Sequence, residues 1–363
     1  MMKTYNAIFL IVVFLVVGLS AVIMLWSQPI TGDLTRISAY PERWFGWNDE
    51  QQDITALINS ERTPDKRHIL VIGDSFSEAG HWQAYLGDQY SFSFIHNSKI
   101  TLEKILTKIE KEKPDAVILE TAERALPDMY NTGSLFLTVT DKCALPESGQ
   151  NNKQTLDKNL KKIATLPAFP YMKRETLPHA GKKISEGFHT FKIWIKSLIS
   201  PKKRKAKIHT LTTTDLFSNT RSGEILLLSK DFLLYDTADE NSIYTIRCSM
   251  QNAATALAHT GIPYVMLVIP DKSTAYQPYF TSDEIRQRPA LINRLHAGYL
   301  QHGIDMLLPI QDMAAAGHKD IYLPNDTHWG YKGFQLAAAL IDIELDTQWL
   351  AQNSEIQDSK NHD

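Results

Sequence analysis

Ile69-Leu70-Val71-Ile72-Gly73-Asp74-Ser75-Phe76-Ser77 is the stretch on which the fold turns. Its first four residues are bulky aliphatics with no polar break, the pattern of a short strand buried on both faces. Gly73 permits a tight turn after that strand. Ser75 then falls at the strand's carboxyl end, where open α/β sheets place their reactive groups. A helix starting near Glu78 would aim backbone N–H groups at the serine. Far along the chain, Asn325-Asp326-Thr327-His328-Trp329-Gly330 brings an imidazole and a carboxylate two residues apart. In an extended turn such residues project to the same side.

A serine hydroxyl is a weak nucleophile until an imidazole takes its proton and a carboxylate fixes the tautomer of that imidazole. Ser75, His328 and Asp326 supply those three parts, so the expected chemistry is acyl transfer through an acyl-serine. Other uses of the same residues exist. Gly-Asp-Ser is also a common turn, Asp326 could cap the helix after Trp329, and Ser77 is a rival nucleophile. A metal site would need a second His or Cys cluster, which the sequence does not offer. No metal and no cofactor is therefore expected.

Working outward from Ile69–Ile72, apolar strands and amphipathic helices alternate. Phe92–Ile95 reads as a second strand and Ala116–Leu119, opened by Pro114-Asp115, as a third. Glu78–Leu86 and Leu102–Lys111 read as helices between them. After residue 245 the pattern resumes with a helix at Met250–His259 ended by Gly261, and a strand at Pro263–Ile269. A largely helical stretch over Ser282–His302, a short strand at Met306–Ile310 and a helix at Tyr331–Ile341 follow. Strands joined through helices imply right-handed crossovers and a mainly parallel sheet. The expected class is α/β, with a catalytic body over 67–345 and a polar, frayed tail over 346–363. Because Ser75 follows the first core strand and Asp326 precedes the last core helix, both can meet at one sheet edge.

Two regions depart from this pattern. Ala7 to Trp26 is 20 residues without a charge, long enough for a membrane-spanning helix. A cleaved signal peptide is the rival, but a clear small-residue cleavage site is missing. With an anchor over 1–26, residues 27–66 read as a stalk and docking segment. The balance of flanking charge gives a slight preference for a cytoplasmic N-terminus and an extracytoplasmic body. The second region, about 130–245, is an insertion. Residues 151–207 hold 15 Lys and Arg against three acids, in a chain whose net charge is −3. Within it Ile184, Phe188, Phe191, Ile195, Leu198 and Ile199 fall at helical spacing, followed by Lys202-Lys203-Arg204-Lys205. Such a helix suits an anionic bilayer surface, an anionic polymer, or plain packing on the body with its lysines in water. Cys143 and Cys248 are the two cysteines, and outside the cytoplasm they could form a disulfide; two separate thiols is the alternative.

The Gly73-Asp74-Ser75-Phe76-Ser77 string, paired with a late Asp326-Thr327-His328-Trp329, resembles the SGNH (GDSL-type) hydrolase superfamily. It is more closely similar to the membrane-associated SGNH-like proteins that O-acetylate exopolysaccharides, the alginate acetyltransferases among them. Val117–Leu126, with Glu120, Glu123 and Arg124, is similar to that family's strand ending in Glu-x-x-Glu-Arg. Val268–Tyr276, with Lys272 and Tyr276, is similar to its Pro-x-Lys-x-x-x-Tyr string. The resemblance implies a three-layer SGNH-like fold over roughly 67–130 and 210–345. One departure is plain: in the alginate enzymes the Asp-x-His precedes the serine, whereas here the serine comes first, as in ordinary SGNH hydrolases. The usual oxyanion Gly and Asn are also absent, since His96-Asn97-Ser98-Lys99 and Glu120–Arg124 follow the second and third strands. Backbone N–H groups near Ser75, together with Arg124, are the expected substitutes.

The resemblance further implies a polysaccharide acceptor, an acyl donor delivered by an integral membrane acyltransferase, and an inner-membrane protein with a periplasmic body. Nucleic acid is not an expected partner. Asp74, Arg124, Lys272, Tyr276 and Trp329 are the candidate substrate or oxyanion residues. Each has a plainer use: Arg124 in a salt bridge to Glu120 or Glu123, Lys272 on the surface, Tyr276 and Trp329 in packing. Two other activities share the sequence. An SGNH esterase or lipase would use the same triad with water as acceptor, and a non-catalytic glycan-binding module would use the basic insertion alone. A glycosidase built on Glu120 and Glu123 is disfavoured, because residues three apart on a strand face opposite ways.

Overall fold

The computed structural model describes residues 32–38, 40–130, 156–172, 205–231, 239–295 and 302–361, with a few positions between 9 and 18. Its strands are β1 (Gln51–Gln52), β2 (Arg67–Gly73), β3 (Tyr90–His96), β4 (Ala116–Ala122), β5 (Tyr171–Met172), β6 (Ala206–Thr210), β7 (Glu224–Leu228), β8 (Tyr264–Ile269) and β9 (Gly303–Asp305). Five of them form one sheet in the order β3-β2-β4-β8-β9. All four pairings in it are parallel. The α/β class with a parallel central sheet is thus as expected, and it fits an SGNH-like fold.

The apolar run at 69–72 is buried on both sides, and alternation decides which residue faces which layer. Ile69 and Val71 pack with Phe76, Trp82 and the apolar face of the helix starting at Tyr331. Leu70 and Ile72 pack with the helices Leu102–Glu112 and Glu240–Ala258. The outcome is three layers, helix–sheet–helix. Strand β2 has β3 on one side and β4 on the other, so the order reverses there. In open α/β sheets that reversal opens a crevice at the strand carboxyl ends, and Ser75 follows the end of β2.

Several local expectations shift. The expected helix Glu78–Leu86 is split into Ser75–Glu78 and His81–Ala84 around Gly80, whose φ of 69° only glycine adopts without strain. The helix expected at Met250–His259 starts at Glu240, where Asp239 caps it by accepting from the Ser242 N–H. Over Ser282–His302 two short helices are described, Asp283–Arg286 and Leu291–Leu295, with Pro289 between them. Met306–Ile310 is not a strand. The strand is the three-residue β9, and Asp305 then accepts from the Leu307 N–H at 2.7 Å to start the helix Leu307–Ala315. A short apolar run does not distinguish strand from buried helix. The last helix spans Tyr331–Asn361, so the polar tail continues it.

The expected stalk is docked rather than extended. Helices Asp33–Ser38 and Glu42–Phe45 bury Leu34 and Phe45 with Tyr40 against Ala206 and Leu226 of the antiparallel β6–β7 pair. A second ribbon joins β1 to β5, bridging the docking segment and the insertion. Residues 184–204, with the amphipathic helix and most of the basic run, lie outside the described residues, as does Cys143. Cys248 is a free thiol among the described residues. Among the described residues no helix is long and apolar enough to cross a membrane. Most of 7–26 is outside them.

Candidate active site

Gly73 is needed for close approach. A Cβ there would collide with the Glu120 carboxylate and stand 2.8 Å from the Ser77 Cβ and Oγ. Gly73→Ala is therefore expected to destabilise the fold by about 1–3 kcal/mol, the usual cost of overpacking. A urea unfolding midpoint unchanged from wild type would refute that. Asp74 then ties the turn down. Its Oδ1 accepts from the Phe76 N–H at 3.0 Å, its Oδ2 accepts from the Ala122 N–H at 2.9 Å, and its own N–H donates to Glu120. Asp74 is thus the N-cap of Ser75–Glu78 and a strut to β4, rather than an oxyanion donor. With the turn fixed, Ser75 stands at the first position of a helical turn.

The imidazole and carboxylate arrive on a small hairpin. Tyr322 bridges Trp329, the Leu323 N–H donates to the His328 carbonyl, and the Gly330 N–H donates to that of Ile321. Asp326 and His328 occupy its tip. His328 Nε2 lies 2.8 Å from Ser75 Oγ, and Nδ1 lies 2.6 Å from Asp326 Oδ1. The same Oδ1 accepts the His328 backbone N–H at 3.0 Å, so an Asx-type turn, not an extended one, aligns the pair. Ser75 and His328, 253 positions apart, share one hydrogen bond.

The electrostatics suit proton transfer. Burial disfavours the Asp326 carboxylate, but hydrogen bonds from His328, its charge and the Asp33 N–H outweigh that and hold the acid at about 2. Burial likewise works against protonating His328, yet the Asp326 hydrogen bond and charge raise it above its ordinary value. The Phe76 ring lies against the imidazole, 4.9 Å between centroids. A cavity of about 470 Å³ opens beside Ser75 and His328.

One residue that sets this geometry carried no catalytic signal in the sequence. Asp33 accepts from the Thr327 N–H at 2.9 Å and the Thr327 hydroxyl at 2.6 Å, and its own N–H donates to Asp326 Oδ2 at 3.0 Å. The Leu34 and Thr35 N–H groups donate to the Asn325 carbonyl. Asn325 in turn donates to Glu42. The docking segment thus clamps the Asp326–His328 hairpin. Asp33→Ala is expected to lower kcat roughly 10- to 100-fold with little change in KM, because the imidazole loses its placement; wild-type kcat would sink this role. Asp33, Asp326 and His328 offer ligand atoms within 4.8 Å of one another. Each is already engaged, by Thr327, His328 and Ser75 respectively.

Lys272 also sets this geometry, and here the expectation that it meets the substrate is corrected. It is fully buried, and its ammonium donates to the carbonyls of Leu323, Pro324 and Asp326 at 2.8, 3.0 and 3.2 Å. Burial pushes it down to about 7, against the pull of Asp326 and its neighbours. It props the hairpin and does not line the cleft. Tyr276 is also buried, its hydroxyl accepting from the Tyr322 N–H. Trp329 is 1% exposed and wedged among Phe76, Tyr322 and Phe334, so it offers no face to a sugar.

The Glu120, Glu123 and Arg124 string braces strand ends. Glu120 holds the Asp74 turn. Glu123 accepts from the Asp271 and Ile292 N–H groups at 2.9 and 3.0 Å. Arg124 pairs with Asp271 at 2.7 Å, where Glu120 or Glu123 was expected. Burial, then the charge of Asp271, raises Glu123 to about 7, and burial with Asp74 raises Glu120. Both glutamates are buried and bonded to backbone, which removes the glycosidase reading. Ser77 is buried and accepts from the Trp82 indole N–H, so it is no rival nucleophile.

No curated protein and no solved structure matches the chain. Residues 226–360, which carry β8, Lys272 and the Asp326–His328 hairpin but not Ser75, match the family model of the SGNH hydrolase-like domain of the acetyltransferase AlgX.

Proposed function

We propose that this chain is a membrane-anchored, extracytoplasmic O-acyltransferase that moves an acyl group, most simply acetyl, onto a hydroxyl of a cell-envelope or secreted polysaccharide. The observation that carries the reading is the unbroken relay from Ser75 through His328 to Asp326 at the edge of a cavity. The family match supports an O-acetyltransferase-like role. Ser75 Oγ attacks the donor carbonyl while His328 Nε2 takes its proton. The tetrahedral intermediate expels the donor's leaving group, which receives that proton, and an acyl-serine remains. A sugar hydroxyl then attacks the ester, His328 again taking the proton and returning it to Ser75. Asp326 stabilises the imidazolium in both halves. The Ser75 backbone N–H, at the start of a helical turn, serves the oxyanion, and each such donor is worth roughly 3–4 kcal/mol.

Anchoring rests on the apolar run at 7–26; its described positions at 11–14 are helical with exposed side chains. An anchor would hold the cleft beside an integral membrane partner that supplies the acyl group. The test is labelling of the full chain by a serine-reactive acyl ester, with mass analysis of envelope glycans from cells carrying Ser75→Ala. Loss of label together with loss of glycan acetyl groups supports transfer. Loss of label with unchanged or increased glycan acetylation makes the protein an esterase, and labelling that survives Ser75→Ala removes the acyl-serine mechanism.

A further inference from the structure

The cavity beside the triad has walls the mechanism does not use. It lies within the roughly 300–1,000 Å³ of small-molecule sites. Asp53 and Glu78 line it, both exposed, and neither carboxylate has a hydrogen bond or ion pair among the described residues. Asp326 also lines it, paired with His328. No lysine or arginine lines it among the described residues. His81 does, and burial and then the charge of His328 hold it below its ordinary value. Among the described residues, Lys332 is a cation beside the lining Tyr331. Its ammonium donates to the Lys319 carbonyl and stands 5.7 Å from the Tyr331 ring.

The other wall is aromatic and neutral. Tyr331 lines the cavity, and Tyr171 of the β1–β5 ribbon meets it edge-on at 5.9 Å while remaining 57% exposed. Gln51, another lining residue, accepts from the Tyr331 N–H at 3.1 Å through its amide oxygen. An aromatic ring packs against the C–H face of a pyranose, and an amide bonds its hydroxyls. A carboxylated sugar would set like charges beside Asp53 and Glu78, which is unfavourable at low salt.

Resting on the transferase reading for which hydroxyl is acylated, we infer that the acceptor sugar held in this cavity carries no acid group: it is a neutral or amine-bearing glycan, and polyuronates are refused. The experiment separates this from the chemistry by measuring binding to the full chain carrying Ser75→Ala. Isothermal titration at low salt compares oligosaccharides of equal length built from glucose, glucosamine or mannuronate. The neutral or the amine-bearing oligomer is expected to bind at least about tenfold tighter than the oligomannuronate, with the gap narrowing at high salt. Asp53→Asn with Glu78→Gln should shrink it severalfold. Equal or tighter binding of the oligomannuronate would overturn the inference and turn attention to the basic residues following Met172. Absence of binding by all three would overturn it as well. Neither result bears on acyl-serine formation, which the labelling of wild-type protein reports.

Discussion

Ser75→Ala is expected to abolish covalent labelling by an activated acyl ester and to lower ester turnover by roughly 10⁴- to 10⁶-fold, the scale seen when a triad nucleophile is removed. The residual rate comes from whatever the oxyanion donors and binding supply without the nucleophile. The substitution should leave the fold intact. Ser75 is half-buried, and among the described residues the hydrogen bond to His328 is the one its hydroxyl makes, so no buried partner among them is stranded in the core. Circular dichroism and thermal unfolding of the variant should overlay wild type, while the acyl-enzyme burst disappears. Charge reversal at Lys202 to Lys205 gives the contrast. A binding module would lose its function there and keep it in Ser75→Ala; a serine enzyme shows the reverse ranking. Labelling retained after Ser75→Ala would place the nucleophile elsewhere, and Ser77 is unfit for that because its hydroxyl is fully buried against Trp82.

What could be read from the chain follows from how local the signals are. The run Ile69–Ile72 announces a buried strand by itself, and Gly-Asp-Ser and Asp-x-His each lie within six residues, so the three reacting side chains were legible. The reason for Gly73 was not, because it depends on a glutamate in another strand. Lys272 shows the same limit more sharply. A lysine after a strand reads as a solvated cation, since burial of a lone ammonium is costly. Three carbonyls of a loop some fifty residues later reverse that. For Tyr276 and Trp329 the sequence leaves cleft and packing open; Tyr276 is buried under the Tyr322 N–H, and the Trp329 ring is buried among Phe76, Tyr322 and Phe334. Asp33 carries no motif at all. Its role exists only because the docking segment returns across nearly the whole chain to meet Thr327. The walls of the cavity were equally hidden, since they join β1, β5 and the loop before the last helix. Chemistry was local here, whereas positioning and specificity are long-range.

Asp326→Asn separates these two kinds of contribution. In the wild type Oδ1 accepts from His328 twice, and Oδ2 accepts from the Asp33 N–H. An asparagine has one oxygen and one NH₂ group for those two positions. With the oxygen toward His328, the NH₂ faces the Asp33 N–H, donor against donor, and the clamp loosens. With the oxygen toward Asp33, the NH₂ donates to His328 Nδ1 and forces the proton onto Nε2, so the ring cannot accept from Ser75. The second arrangement should cost about 10⁴-fold in kcat, as expected when the tautomer is wrong, whereas the first keeps the tautomer and loses the clamp and the charge. The pH profile carries the decisive sign. His328 acts as base only when neutral, so activity falls as pH drops through its pKa, which in the wild type lies above the ordinary histidine value. Burial alone would lower that pKa, and the Asp326 hydrogen bond and charge raise it. Removing the charge leaves burial in command, so the acid limb of the residual activity should move to lower pH. Loss of stability alone would cut the rate without moving the limb. An Asp326→Asn enzyme within tenfold of wild type, or one whose acid limb stays in place, would mean that the carboxylate does not act through the imidazole and that the relay is only a structural hydrogen-bond chain.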